Sequence, residues 1–158
     1  MKPQIQNARS AIGEVQLSKI EMEINSPLPK EYRKFLLKNN GGKPKPSIFP
    51  IKSYPISSRS ESQSFLCINS GDVYDLSKYI KRYKKRIPHD MLPIAIDLAG
   101  NLICIVFTGT DLGKIYFWDH ENEVEEGLEP WCENIYFVSD SFGEFYENFE
   151  TAYNKPLA

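Results

Sequence analysis

Residues 28–42, LPKEYRKFLLKNNGG, set the start, the buried face and the end of one helix, and so constrain the fold more than any other stretch. Pro29 suits the first helical turn, where its missing N–H is lost at no cost. Tyr32, Phe35, Leu36 and Asn39 follow at i, i+3, i+4 and i+7, with Lys30, Arg33, Lys34 and Lys38 turned to water. Gly41 and Gly42 accept the left-handed conformation that ends such a helix. Nothing in the segment calls for a catalytic role.

The chain has 158 residues, enough for one domain with its own core. No run approaches the length of a membrane span, and the first residues lack the apolar stretch of a secretory signal. Cys67, Cys104 and Cys132 are widely spaced and odd in number, which argues against a disulfide framework or zinc ribbon and fits a reducing cytoplasm. With 19 basic and 21 acidic residues the net charge is −2, whereas a general nucleic-acid binder carries a basic excess. Residues 1–17 are weakly patterned and read as a loosely held N-terminal arm, leaving residues 18–158 as a single domain.

Ser18 and Glu21 stand at capping-box spacing, with Leu17 and Met22 placed as a hydrophobic staple and Ile20 and Ile24 on one apolar edge. The break at Asn25, Ser26 and Pro27 is short, so this helix and the next are expected to form a hairpin. Residues 43–64 are Pro- and Ser-rich. Ile48, Phe49 and Ile51 suggest an edge strand between Pro46 and Pro50, and residues 57–62 read as a mobile loop. A strand at 65–68 follows. Then comes a helix over 75–87, capped by Asp75, with Leu76, Tyr79, Ile80, Tyr83 and Ile87 inward and Lys78, Lys81, Arg82, Lys84, Lys85 and Arg86 outward. Residues 93–97, 102–107 and 114–119 are β-rich and joined by Gly-containing turns, which predicts antiparallel hairpins; LICIVF is apolar on both faces and marks a central strand. Residues 131–138 supply a further strand. Ser141 and Glu144 open a last helix with Phe142, Phe145, Tyr146, Phe149 and Tyr153 on one face. The order predicts a single α+β domain, helices packed on an antiparallel or mixed sheet.

Several of these pieces together resemble the SUKH superfamily, which includes fungal Smi/Knr-type cell-wall regulators and many bacterial immunity proteins. They are Ile20, Ile24 and Leu28-Pro29 with Tyr32, Phe35 and Leu36; Asn40-Gly41-Gly42; residues 92–97 ending at Asp97, with Gly100-Asn101; and residues 114–120 with the closing Ser141, Phe142 and Phe145. Ala99 departs from the glycine or polar residue that many relatives place in that turn, and residues 43–64 have no clear counterpart. The resemblance implies a SUKH-like fold and a non-catalytic binding protein without a cofactor. For a bacterial member it implies an immunity protein that neutralises a cognate toxin, often a nuclease or deaminase. For a fungal-type member it implies an interaction scaffold without a toxin partner.

Asp119, Glu121, Glu123, Glu125, Glu126, Glu129 and Glu133 follow one another without a Lys or Arg between them. Such a cluster can mimic phosphates and occupy a nuclease's basic cleft, with Trp118 and Trp131 as anchors. It reads equally as a solvated loop paired with the basic helix. The expected partner-binding set is therefore Trp118 to Glu133 in this cluster, joined by the Ser-rich loop 57–64. The basic face of 75–87 reads first as a solvated helix face. A metal at Asp119, His120 and Glu121 is disfavoured, because adjacent strand residues point to opposite faces. Cys132 with His120 lacks a third orienting group for nucleophilic chemistry. Residues 108–113 have glycines but no P-loop lysine, and read as a hairpin turn. The expected partner is a protein, with no nucleic acid, metal or membrane involved. The expected state is a monomer, or a weak homodimer through an exposed edge at 46–51.

Overall fold

The computed structural model describes residues 2–150. In chain order they form β1 (Gln4–Gln6), α1 (Glu14–Ile24), α2 (Lys30–Lys38), β2 (Lys43–Lys45), β3 (Ile48–Pro50) and β4 (Arg59–Phe65). Then follow α3 (Leu76–Tyr83), β5 (Met91–Asp97), β6 (Leu102–Val106), β7 (Ile115–Trp118), a 3-10 turn (His120–Asn122), β8 (Ile135–Ser139) and α4 (Phe142–Glu147). Strands β3 to β8 make one antiparallel sheet in sequence order, and β1 pairs with β2 in a second, two-stranded one. The result is an α+β domain, and every strand pairing is antiparallel.

The LICIV run lies inside the sheet as β6 and is buried along its length, as a strand apolar on both faces requires. The sheet curls until its ends nearly meet. The chain leaving β3 turns onto β8, where Lys52 N–H donates to the Phe137 carbonyl at 3.0 Å and the Tyr54 ring packs at a tilt against Phe117 and Tyr136. The outer edge of β3 is covered as well: Glu150 N–H donates to the Ile48 carbonyl at 2.7 Å, and Glu150 pairs with Arg59. The strand at 48–50 is an edge strand as expected, but its open backbone is already used within the chain. The edge-pairing route to a homodimer is thereby lost.

Helix α2 buries Tyr32, Phe35 and Leu36 as the spacing predicts, with Pro29 at its N-cap instead of inside the first turn. These residues meet α4 and β4 in an aromatic cluster. The Phe35 and Phe65 centroids lie 4.7 Å apart, those of Phe35 and Phe142 5.2 Å, and those of Phe145 and Phe149 5.1 Å. Ser141 caps α4, its hydroxyl accepting from Glu144 N–H. Tyr153 lies outside the described residues.

Helix α1 starts at Glu14, before the Ser18 cap that the spacing suggested. Gly13 is its N-cap, and Gly13 N–H donates to Gln16 Oε1. Met22 is 81% exposed, so no staple forms with buried Leu17. Glu21 instead accepts from Leu28 N–H and, with Glu14, from Arg33, which ties α1 to α2. The residues expected as a loose arm carry β1, the start of α1, and an Arg9 that pairs with Asp72 at 2.6 Å.

The glycines after α2 serve close approach more than helix termination, since the helix has already ended at Lys38 with Asn39 extended. At Gly41 (φ +70) a Cβ would stand 2.7 Å from Cys67 Cβ and 2.9 Å from the Leu66 carbonyl oxygen. At Gly42 (φ +111) it would stand 2.5 Å from Ile5 Cγ2. The buried Asn40 side chain donates to the Ser10 and Ile68 carbonyls and accepts from Ile68 N–H, standing in for a missing strand neighbour. NNGG is thus a three-way junction of α2, β4 and the N-terminal segment.

The Ser-rich segment expected as a mobile loop is strand β4 over most of its length. Ser62 and Ser64 are buried, and Ser60 Oγ donates to Asp97. Serine has poor strand statistics, but pairing on both sides by β3 and β5 overrides them. Residues 59–64 therefore belong to the sheet and do not extend the acidic surface as a loop.

Candidate protein interface

The acidic segment rises from one end of the sheet, and a buried polar network anchors it there. Asp97, at the end of β5, accepts from Ala99 N–H (2.9 Å), Asn101 N–H (2.7 Å), Asn101 Nδ2 (3.0 Å) and Ser60 Oγ (2.9 Å). It so closes the β5–β6 turn, where Gly100 takes φ +87. Asn101 Oδ1 then accepts from His120 N–H at 3.1 Å, and the His120 ring Nε2 lies 2.8 Å from the Ala99 carbonyl oxygen. The turn thus holds the chain leaving β7.

Asp119 belongs to this base and not to the outer surface. It is 1% exposed, and its carboxylate accepts from Glu121 N–H, Asn122 Nδ2 and the Tyr54 hydroxyl. Burial, with the Asp119 charge second, pushes the Tyr54 phenol up to about 12, so it remains a donor at neutral pH. Asn134 Nδ2 donates to the Asp119 carbonyl, which clamps both feet of the loop together. Trp118, also 1% exposed, is core: its ring packs edge-on to Tyr83. Both residues were expected on the binding surface. They are withdrawn from it because β7 is still within the sheet at Trp118 and the loop's first turn folds around Asp119.

Beyond this base the loop is outward-facing. Glu121, Glu125, Glu126, Glu129 and Glu133 are exposed, Leu128 is 58% and Trp131 43% exposed. Trp131 keeps one tether, Nε1–H donating to the Asn122 carbonyl at 3.2 Å. Glu123 turns the other way. Arg86 donates to it from Nε at 3.0 Å and from Nη2 at 2.6 Å, a two-pronged pair. The Arg86 guanidinium also lies 4.4 Å from the Tyr83 ring centroid, and the hydrogen bonds to Glu123 raise its already high pKa.

The helix expected over 75–87 ends at Tyr83 as α3, so this pair bridges the loop to the basic turn that follows it and leaves a groove of about 1000 Å³ between them. Lys81, Arg82, Lys84, Lys85, Arg86 and His89 line one side. Glu123, Glu125, Glu126 and Glu129 line the other, with Val124, Leu128 and Pro130 among them. The reading of the acidic segment as paired with the basic stretch holds for Glu123, while Glu121, Glu125, Glu126 and Glu133 face solvent. Arg86 was seen in the sequence only as one more cation on a solvated face. Its i+3 spacing from Tyr83 was the available signal that it differs.

Of the other chemical candidates, Asp119 and His120 are held in structural roles. Both Asp119 oxygens and the His120 ring are engaged as described. Cys104 is buried in β6, where desolvation pushes its thiol well above the usual range, and Cys132 is exposed on the loop. No group of three or more His, Cys, Asp or Glu side chains suited to a metal ion gathers among the described residues. No helix among them is long and apolar enough to cross a membrane.

Residues 11–148 match the model of the SMI1 / KNR4 family (SUKH-1), and the chain belongs to that family. A relative is the SPbeta prophage-derived uncharacterized protein YokK of Bacillus subtilis (strain 168). The two are 32% identical over 144 residues, covering 82% of this chain and 70% of YokK.

Proposed function

We propose, from its membership of the SMI1/KNR4 (SUKH-1) family, that the chain is a non-catalytic immunity protein of a bacterial toxin system. It binds a cognate toxin, a nuclease or deaminase, in the cytoplasm and blocks it without a cofactor. The kinship with a prophage-derived protein fits such a role. The observation that carries the reading is the braced loop of residues 119–133. Its base is fixed by Asp97, Asp119 and Asn134, while Glu121, Glu125, Glu126 and Glu133 project to solvent beside the half-exposed Trp131. Carboxylates held on a pre-ordered loop steer toward a basic cleft and avoid the ordering cost a flexible tail would bear. Trp131 and Leu128 supply the apolar contact that sets lifetime.

The test is calorimetric titration of this chain with the toxin encoded beside its gene. The triple reversal E121K/E125K/E126K is expected to weaken binding by ~100-fold or more, chiefly through slower association, because like charges set opposite each other cost several kcal/mol. Reversal of Lys30, on α2, is expected to change nothing. An unaltered affinity in the triple variant rejects the acidic surface. Failure to bind any neighbouring toxin rejects the immunity role and leaves the scaffold role.

A further inference from the structure

The groove behind the acidic loop is unbalanced in charge, and the imbalance names its occupant. Arg86 is committed to Glu123, and His89 stands 3.6 Å from Glu129. Lys81, Arg82, Lys84 and Lys85 are exposed and form no ion pair among the described residues; opposite these four cations stand three carboxylates, Glu125 and Glu126 without an ion pair among the described residues and Glu129 with a histidine as its neighbour. Lys81 stands in the last turn of α3, Lys84 is its C-cap and Lys85 follows in the turn beyond, so three like charges stand close along the chain and gain from an external counter-charge.

We propose that this groove is a docking channel for an acidic, amphipathic segment of a partner protein. Its carboxylates meet the lysines, and its apolar side chains meet Val124, Leu128 and Pro130. The loop's own glutamates are the resident competitors, held near the cations by the Arg86–Glu123 clamp. A nucleic acid suits the channel less well. A continuous phosphate chain would meet the opposing glutamates, and the tyrosines of α3 offer its bases no stacking platform, since Tyr79 and Tyr83 are 4% and 9% exposed. The inference does not rest on the toxin reading: the two share Glu125 and Glu126, but the lysines belong to this one alone and Glu121 to the other.

Fluorescence anisotropy of the full chain tests it, with a short fluorescein-labelled peptide of Glu and Leu in amphipathic order. The controls are the same peptide with Lys for Glu, and a single-stranded oligonucleotide of equal charge. The acidic peptide is expected to bind in a salt-dependent manner. K81E/K84E/K85E is expected to weaken it at least ~tenfold, and E125Q/E126Q to tighten it a few-fold by removing the competitors. The altered side chains are exposed, and an unchanged melting temperature verifies that each variant is folded. Tighter binding of the Lys peptide or the oligonucleotide overturns the proposal, as does indifference to the lysine reversal. Either result leaves the toxin titration, read through Glu121, Glu125 and Glu126 on the full interface, to stand or fall by itself.

Discussion

Gly41→Ala is expected to destabilise the fold by about 3–4 kcal/mol, a large share of the stability of an ordinary domain. Two costs add. An L-residue in the left-handed region loses roughly 1–2 kcal/mol. The new Cβ would also stand 2.7 Å from Cys67 Cβ and 2.9 Å from the Leu66 carbonyl oxygen, and neither is the free end of a flexible side chain. Gly71 separates the two costs: its φ is +68, almost the same, but a Cβ there meets nothing within 4 Å. Gly71→Ala should therefore cost only about 1 kcal/mol. Urea unfolding of both variants measures the difference, and equal losses would mean that the close approach at Gly41 carries no weight.

Asp97→Ala carries the second large effect, about 4 kcal/mol by denaturant unfolding. It removes a buried carboxylate and leaves Ala99 N–H, Asn101 N–H, Asn101 Nδ2 and Ser60 Oγ seeking other acceptors. The loss extends beyond the turn, because Asn101 Oδ1 receives His120 N–H and so positions the start of the acidic loop. Hydrogen exchange at residues 119–123 should quicken in the variant even under conditions where it is folded. A loss below about 1 kcal/mol would show that the turn is held by the β5–β6 pairing alone.

Sequence periodicity placed α2, α3, α4 and the hairpins of β5 to β7 because each has one apolar face, or, for β6, two. It failed at β4, where serines carry no hydrophobic rhythm and burial comes from neighbours distant in sequence. It failed at α1 as well: Ser18 and Glu21 have cap spacing, but Glu21 spends its carboxylate on Leu28 and Arg33. NNGG was legible as a stop. Its second role, the junction through Asn40 and the backbone approach at Gly41, depends on strands that only the tertiary fold brings near.

The acidic stretch was legible as charge, but its division was not. A linear sequence does not reveal that Asp119 turns inward to Tyr54, that Glu123 turns back to Arg86, or that Trp118 remains in the sheet. What reaches solvent is a smaller set, mounted on a base that Asp97, Gly100 and Asn101 hold in place. On the proposed reading, the turn is the support and the loop it carries is the recognition element.

The most direct test of the central claim, that recognition resides on this braced exterior loop, is hydrogen–deuterium exchange of the chain alone and in complex with the neighbouring toxin. The account predicts new protection concentrated in residues 121–133, with α2, α4 and the NNGG junction unchanged. Protection confined to α2 and α4, with the loop exchanging as in the free protein, would contradict it.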